Sequence, residues 1–186
     1  MPDRYIKQIL EGDKEAFRFI ISECKDGAYN LAFSIVKQEY AAKDAVQSSF
    51  LKAYESLPAF RRNSSFKTWF HRIVVNEAFQ ILRSRKLEHN LPIAEIKYDN
   101  IQTNRIHQKI NNEHLDYYIN EVLASMKPNE SLVLKLHYLE EHTIKEICTI
   151  TDWSLSNVKV ILHRARKSMR KILTETYNLN PEDLYL

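Results

Sequence analysis

Apolar residues recur three and four positions apart along most of the chain, the spacing that lines one side of an α-helix. A first helix is expected from Gly12-Asp13, with Asp13 as N-cap and Phe17, Ile20, Ile21, Leu31, Ile35 and Val36 as its apolar positions. Gly27 is a candidate break in it. A second helix is expected from about Tyr40 to Leu57, stopping before Pro58, with Val46, Phe50, Ala53, Tyr54 and Leu57 turned inward. That leaves Asp44, Gln47, Ser48 and Leu51 on another face, free for solvent or a partner.

The polar loop 60–65 leads into a third expected helix ending near Leu87, with Phe66, Phe70, Ile73, Val74 and Ile81 as its core stripe. An advance of about 100° per residue puts Arg72, Asn76, Phe79 and Arg83 on a second stripe, with Trp69 at its border. A cationic, amide-bearing and aromatic row suits phosphates and unstacked bases better than plain solvent. Glu77 falls in the middle of the apolar stripe, where a carboxylate needs a buried hydrogen bond.

Between His89 and Asn112 the periodicity fails, and Pro92 and scattered asparagines replace it, as in a flexible linker between two domains. Helical pattern resumes over Glu113–Ser125, and Pro128 opens a further helix, Asn129–Leu139. Thr143-Ile-Lys-Glu146 has the form of a capping box, in which Thr143 and Glu146 satisfy each other's backbone amides. The short helix it opens would bury Ile144, Ile147 and Ile150. Thr151-Asp152-Trp153 then makes a turn, and Ser154 caps a longer helix.

In that last helix Leu155, Val158, Leu162, Ala165, Met169 and Ile172 form the inward stripe. Ser156, Val160, His163, Arg164 and Lys167 project outward, with Asn157 at the edge. A short helix, a tight turn and a longer basic helix form a helix-turn-helix, whose second helix enters the major groove of duplex DNA. Small polar residues near its start can approach base edges, Val160 can meet a thymine methyl, and the later Arg and Lys reach phosphates. The competing structural reading is an αα-hairpin with a solvated basic back.

Composition agrees with an all-α fold. Only two glycines occur among 186 residues, too few for hairpin-rich sheets or glycine-rich phosphate loops. The net charge of +3 is modest, but it is clustered. Residues 61–86 carry seven Arg and Lys against the single Glu77, and 155–173 carry six against none. Two basic blocks on a near-neutral chain suggest two contacts with a polyanion.

Cys24 and Cys148 lie far apart and read as free thiols of a reduced, cytoplasmic protein. No apolar run reaches membrane-spanning length, and no signal peptide opens the chain. His137, His142, Cys148 and His163 lack the spacing of a metal site, so no metal and no cofactor are expected. Asp44, Glu77 and His71 lie on different expected faces and no nucleophile motif accompanies them, so an enzyme is not expected.

Several segments resemble one family. Ser154-Leu-Ser-Asn-Val-Lys-Val-Ile-Leu-His-Arg-Ala-Arg166 is similar to the last region of bacterial RNA polymerase sigma factors of the extracytoplasmic function (ECF) group. Met126-Lys-Pro-Asn-Glu130 and the stretch from Leu134 to Thr143 resemble earlier helices of the same module. Gly12-Asp-Lys-Glu-Ala-Phe17, the 42–54 segment and the 65–78 segment resemble the family's promoter-melting region, in the family's order.

The resemblance implies two small helical domains: 1–88, which binds polymerase and recognises and melts the −10 element, and 113–186, which reads the −35 element, with a linker over 89–112. It implies that Asp44, Gln47, Ser48 and Leu51 meet the clamp helices of core polymerase. Arg61, Arg62, Asn63, Ser64, Trp69, Arg72, Asn76, Phe79 and Arg83 would capture the −10 strand. Ser154, Ser156, Asn157, Lys159, Val160, His163, Arg164, Arg166 and Lys167 would contact the −35 duplex. It also implies an anti-sigma factor, which would hold the protein at the inner membrane, and no small-molecule substrate.

Two departures stand out. Asp152 occupies a turn position where the family often has Gly, and Val160-Ile161 replaces a frequent Ser-Arg pair, which bears on base preference. The other function the pattern allows is a stand-alone helix-turn-helix regulator, which would bind duplex DNA tightly without polymerase.

Overall fold

A computed structural model describes residues 2–89 and 112–177, and every regular element among them is helical. The expected linker lies almost wholly outside the described residues. The order is α1 (Pro2–Leu10), α2 (Phe17–Val36), α3 (Glu39–Ser56), α4 (Phe66–His89), α5 (Asn112–Ser125), α6 (Pro128–Leu134), α7 (Ile144–Thr151) and α8 (Leu155–Tyr177).

The ends of these helices follow from local chemistry. α2 stops because Lys37 turns left-handed, its amide still bonded to the Phe33 carbonyl. Ser65 starts α4, its hydroxyl accepting from the Thr68 amide at 3.1 Å. Pro128 occupies the first turn of α6, where its missing N–H costs nothing.

Three expectations need correction. Asp13 does not cap a long helix: it precedes a single 3₁₀ turn, Lys14–Ala16, makes no side-chain cap bond, and α2 begins only at Phe17. Gly27 does not interrupt α2, because hydrogen bonding on both sides carries the helix through it. The helix from Pro128 does not stay α to Leu139; Lys135–Leu139 form a π-helical turn closed by the Glu140 amide on the Lys135 carbonyl at 2.9 Å. The periodicity reading also passed over α1, whose Ile6 is buried and whose Tyr5 stacks on Phe19.

α2, α3 and α4 pack together around Phe17, Leu31, Ile35, Phe50 and Phe70, with ring pairs such as Phe50–Phe70 at 4.9 Å between centroids. α6, α7 and α8 pack around Leu132, Leu136, Ile147, Ile150, Val158 and Leu162. The halves are not separate beads: α7 lies on α4 and α6 on α2, and the buried apolar cluster is continuous across them.

α4 explains how one helix serves both halves. Its expected stripe of Phe66, Phe70 and Val74 is buried, and so is a second one, Thr68, His71, Val75, Ala78 and Leu82. At Thr68 and His71 this second stripe meets the C-terminal half, through Glu146 and His142.

Candidate nucleic-acid and partner surfaces

On α3, Asp44, Gln47 and Leu51 are exposed and Ser48 is half-buried. Tyr40, four residues before Asp44, extends the same face and is 81% exposed. Sequence reasoning missed it, although its spacing to Asp44 was there to be read. An apolar ring and Leu51 left in water beside a carboxylate and an amide have the makings of a protein-docking strip.

Before α4, Arg61, Arg62 and Asn63 are exposed and Ser64 is half-buried. Arg62 is held in the left-handed region at φ 55°, an uncommon conformation for a non-glycine residue in a surface loop. On α4, Arg72, Asn76 and Arg83 are exposed on one row, as their spacing requires. Trp69 is half-buried in an aromatic cluster, 4.9 Å from Phe60 and 5.5 Å from Phe66 between ring centroids.

Beside Asn76 lies a shallow pocket of about 430 Å³, also lined by Lys52, Ser56, Ile73 and Gln80. Glu77 forms part of its wall, and its carboxylate accepts from Lys52 Nζ at 2.5 Å. That pair supplies the partner Glu77 needed, from a lysine that is itself half exposed. Lys52 and Gln80 were not singled out from the sequence, because the pocket exists only where α3 and α4 pack.

In the C-terminal half the capping box is complete. Thr143 Oγ1 accepts from the Glu146 amide, and Glu146 Oε2 accepts from the Thr143 amide at 2.9 Å. Those bonds from Thr143 hold the Glu146 carboxyl below its ordinary value. Asp152 takes the left-handed turn geometry, φ 61°, and its amide closes α7 on the Cys148 carbonyl. Ser154 Oγ then accepts from the Asn157 amide at 3.3 Å and starts α8.

Along α8, Val158, Leu162 and Ala165 are buried, whereas Ser154, Ser156, Asn157, Lys159, Val160, His163, Arg164 and Lys167 are exposed. Leu155 was expected inward but, as the first residue of α8, is 48% exposed. Arg166 is half-buried: Nε donates to Tyr138 Oη at 2.7 Å, and the guanidinium lies over the Tyr138 ring. Its charge is therefore partly engaged within the protein.

The turn of the helix-turn-helix sits on the α4 row, a contact that helical periodicity does not reveal. The Trp153 ring packs on Phe79 with centroids 6.2 Å apart, and Asp152 Oδ1 lies 4.0 Å from Arg72 Nη2. Phe79 is thereby half-buried, and the row is partly covered while the α8 face stays open.

A helix-turn-helix with an open basic face, joined to a second cationic and amide-bearing helix, defines a two-part DNA-binding protein. Its relatives narrow that class. Residues 20–88 match the sigma-70 region 2 family model and residues 117–169 the sigma-70 region 4 model. RNA polymerase sigma factor SigV of Bacillus subtilis is 32% identical over 156 residues, covering 83% of this chain and 89% of that protein. ECF RNA polymerase sigma factor SigW of the same organism is 28% identical over 184 residues, 94% of this chain and 98% of that one.

The fold is also that of the sigma factor RpoE of Bartonella quintana, solved with the anti-sigma factor NepR. That structure superposes with TM-score 0.64 at 18% identity, over 86% of this chain and 97% of that one. CnrH, solved with the cytosolic domain of CnrY, superposes with TM-score 0.62 at 18% identity over 91% of this chain and 94% of that one. The chain belongs to the ECF RNA polymerase sigma factors. Its first half is therefore a sigma region 2, not the sensing or dimerising half of a stand-alone regulator. Among the described residues no helix is long and apolar enough to cross a membrane.

Proposed function

We propose that this sigma factor grips promoter DNA at two places and core polymerase at a third. Its function is to bind core RNA polymerase and direct it to promoters. The reading of its parts rests on one observation: two distinct cationic faces, on α4 and α8, belong to two halves of the chain joined by a connection of more than twenty residues.

The α8 face, from Ser154 to Lys167, reads the −35 duplex. Ser156, Asn157 and Val160 lie nearest the base edges, and Arg164 and Lys167 lie on phosphates. The 61–64 loop and the row Arg72, Asn76, Phe79 and Arg83 take the opened −10 strand, with phosphates on the arginines and bases on the amide and ring. The face of Tyr40, Asp44, Gln47 and Leu51 docks on the polymerase clamp helices.

On this reading 1–88 and 113–186 are the two working domains and 89–112 the tether. A tether fits two DNA sites set apart by a spacer, because binding at one raises the effective concentration at the other. The protein acts in the cytoplasm, catalyses no reaction and takes no cofactor. An anti-sigma factor is its natural restraint, as RpoE of Bartonella quintana has in NepR.

Run-off transcription tests the reading. Core polymerase with this protein should start at a subset of promoters on its own genome's DNA, where core alone does not. Asp44→Arg should abolish most of that activity and pull-down of core while leaving helicity unchanged. Full activity and full pull-down by the variant would remove the α3 face from the account.

A further inference from the structure

The contact between the halves contains a cluster of titratable groups that the transcription function does not use. His71 of α4 and His142, just before α7, are both buried, and His71 Nδ1 lies 2.9 Å from His142 Nε2. Two imidazoles can share this bond only if one presents a bare ring nitrogen to the other's N–H, so the neutral pair satisfies it and the doubly protonated pair cannot. From the geometry of this pair we infer a proton-sensitive latch: neutral His71 and His142 hold the two halves shut, and protonation lets them part.

The surrounding groups decide the sign. From α4, Lys67 Nζ reaches the Glu140 carboxylate at 3.0 Å and the Glu140 carbonyl at 2.9 Å. Glu140 Oε2 is 4.0 Å from His71 Nε2, too far for a hydrogen bond, and already neutralised by Lys67. From α7, Glu146 Oε2 is 3.9 Å from His142 Nδ1, but it is committed to the Thr143 amide and hydroxyl, and Oε1 accepts from Thr68.

α2 contributes Gly27, where an added Cβ would lie 3.8 Å from Glu140 Oε1, and Cys24, whose thiol burial pushes up to about 11 and keeps neutral. His137 Nδ1 donates to the His142 carbonyl at 3.1 Å. Glu146 and Glu140 favour a charge on His142, but its burial outweighs them. Burial lowers His71 to about 3, with charge on His142 and Lys67 adding to the effect, and burial lowers His142 on balance.

A histidine whose pKa is depressed in the closed form stabilises that form above its open-state value, and loses the contribution as pH falls toward its closed-state value. With an open-state pKa of about 6.5, His71 alone raises the open-to-closed ratio about tenfold between pH 7.5 and 5.5, and the lowered His142 acts in the same direction. Opening would lift Trp153 off Phe79 and Asp152 away from Arg72, uncovering the α4 row. That consequence rests on the proposed role of the row, whereas the opening itself does not.

Single-molecule energy transfer on the full chain tests the latch. Dyes are placed at Glu55→Cys and Glu175→Cys, both exposed positions, with Cys24 and Cys148 replaced by Ser. Far-UV circular dichroism at each pH shows that helices persist, so that opening is not confused with unfolding. The expected result is a rise of at least tenfold in the open-to-closed ratio from pH 7.5 to 5.5. In the double variant His71→Gln, His142→Gln the ratio should change less than threefold, whether that variant rests closed or open. A wild-type ratio that does not rise, or an equal rise in the double variant, overturns the inference. Neither result bears on run-off transcription, so the function reading is tested separately.

Discussion

The two surfaces assigned to DNA are built in opposite ways. The α4 row belongs to a helix buried along two stripes, and the Asp152-Trp153 turn partly covers it. The α8 face belongs to a helix whose fully buried positions are Val158, Leu162 and Ala165, and its outward residues Ser156, Asn157, Val160, His163, Arg164 and Lys167 are open. An element that must read duplex DNA can remain exposed, since phosphates and base edges are available without any change in the DNA. The surface proposed for unpaired strand has no ligand until the duplex opens; covering it in the free chain lowers its binding by the covered fraction, for stray strands as well as for the promoter.

Substitutions can sharpen that contrast, beginning with the platforms. Phe70→Ala removes a fully buried ring packed on Phe50 and Phe66 and should cost about 3–5 kcal/mol in urea unfolding. Leu162→Ala on α8, with a smaller side chain on a helix buried along one line, should cost about 2–3 kcal/mol. A larger loss for Leu162 than for Phe70 would break the contrast in anchoring.

The turn between the surfaces comes next. Asp152→Val forces a β-branched residue to φ 61° and should cost about 1–3 kcal/mol, whereas Asp152→Gly should stay within about 1 kcal/mol of the parent. Equal melting of the two variants would show that the left-handed turn is not what Asp152 is needed for. Thr143→Ala removes the capping hydroxyl and should cost about 1 kcal/mol.

The smallest expected effects concern binding alone. Arg164→Ala should weaken promoter binding by the holoenzyme across many −35 sequences and reduce the salt slope by about one. Val160→Ala should instead change preference at one base position. A selection in which both variants shift the preferred sequence equally would reverse those roles.

Much of this was legible in the sequence, for identifiable reasons. The capping box at Thr143 and Glu146, the left-handed Asp152 and the outward set on α8 are local features, fixed by neighbours within a turn of helix. The exposed row of Arg72, Asn76 and Arg83 followed from helical periodicity. Long-range facts were not legible. Burial of Thr68 and His71, the engagement of Arg166 by Tyr138, and the seating of Trp153 on Phe79 all depend on partners far along the chain. Glu77 was the informative failure: a carboxylate in an apolar stripe pointed to a missing partner, and Lys52 proved to be that partner.

The division of labour between the two surfaces is tested most directly by permanganate reactivity of −10 thymines together with an upstream footprint, for holoenzyme on one promoter. Asn76→Ala with Phe79→Ala should lose thymine reactivity while the −35 footprint persists, and Arg164→Ala with Lys167→Ala should weaken the −35 footprint first. Loss of both signals in equal measure from both pairs, or the reverse assignment, would contradict it.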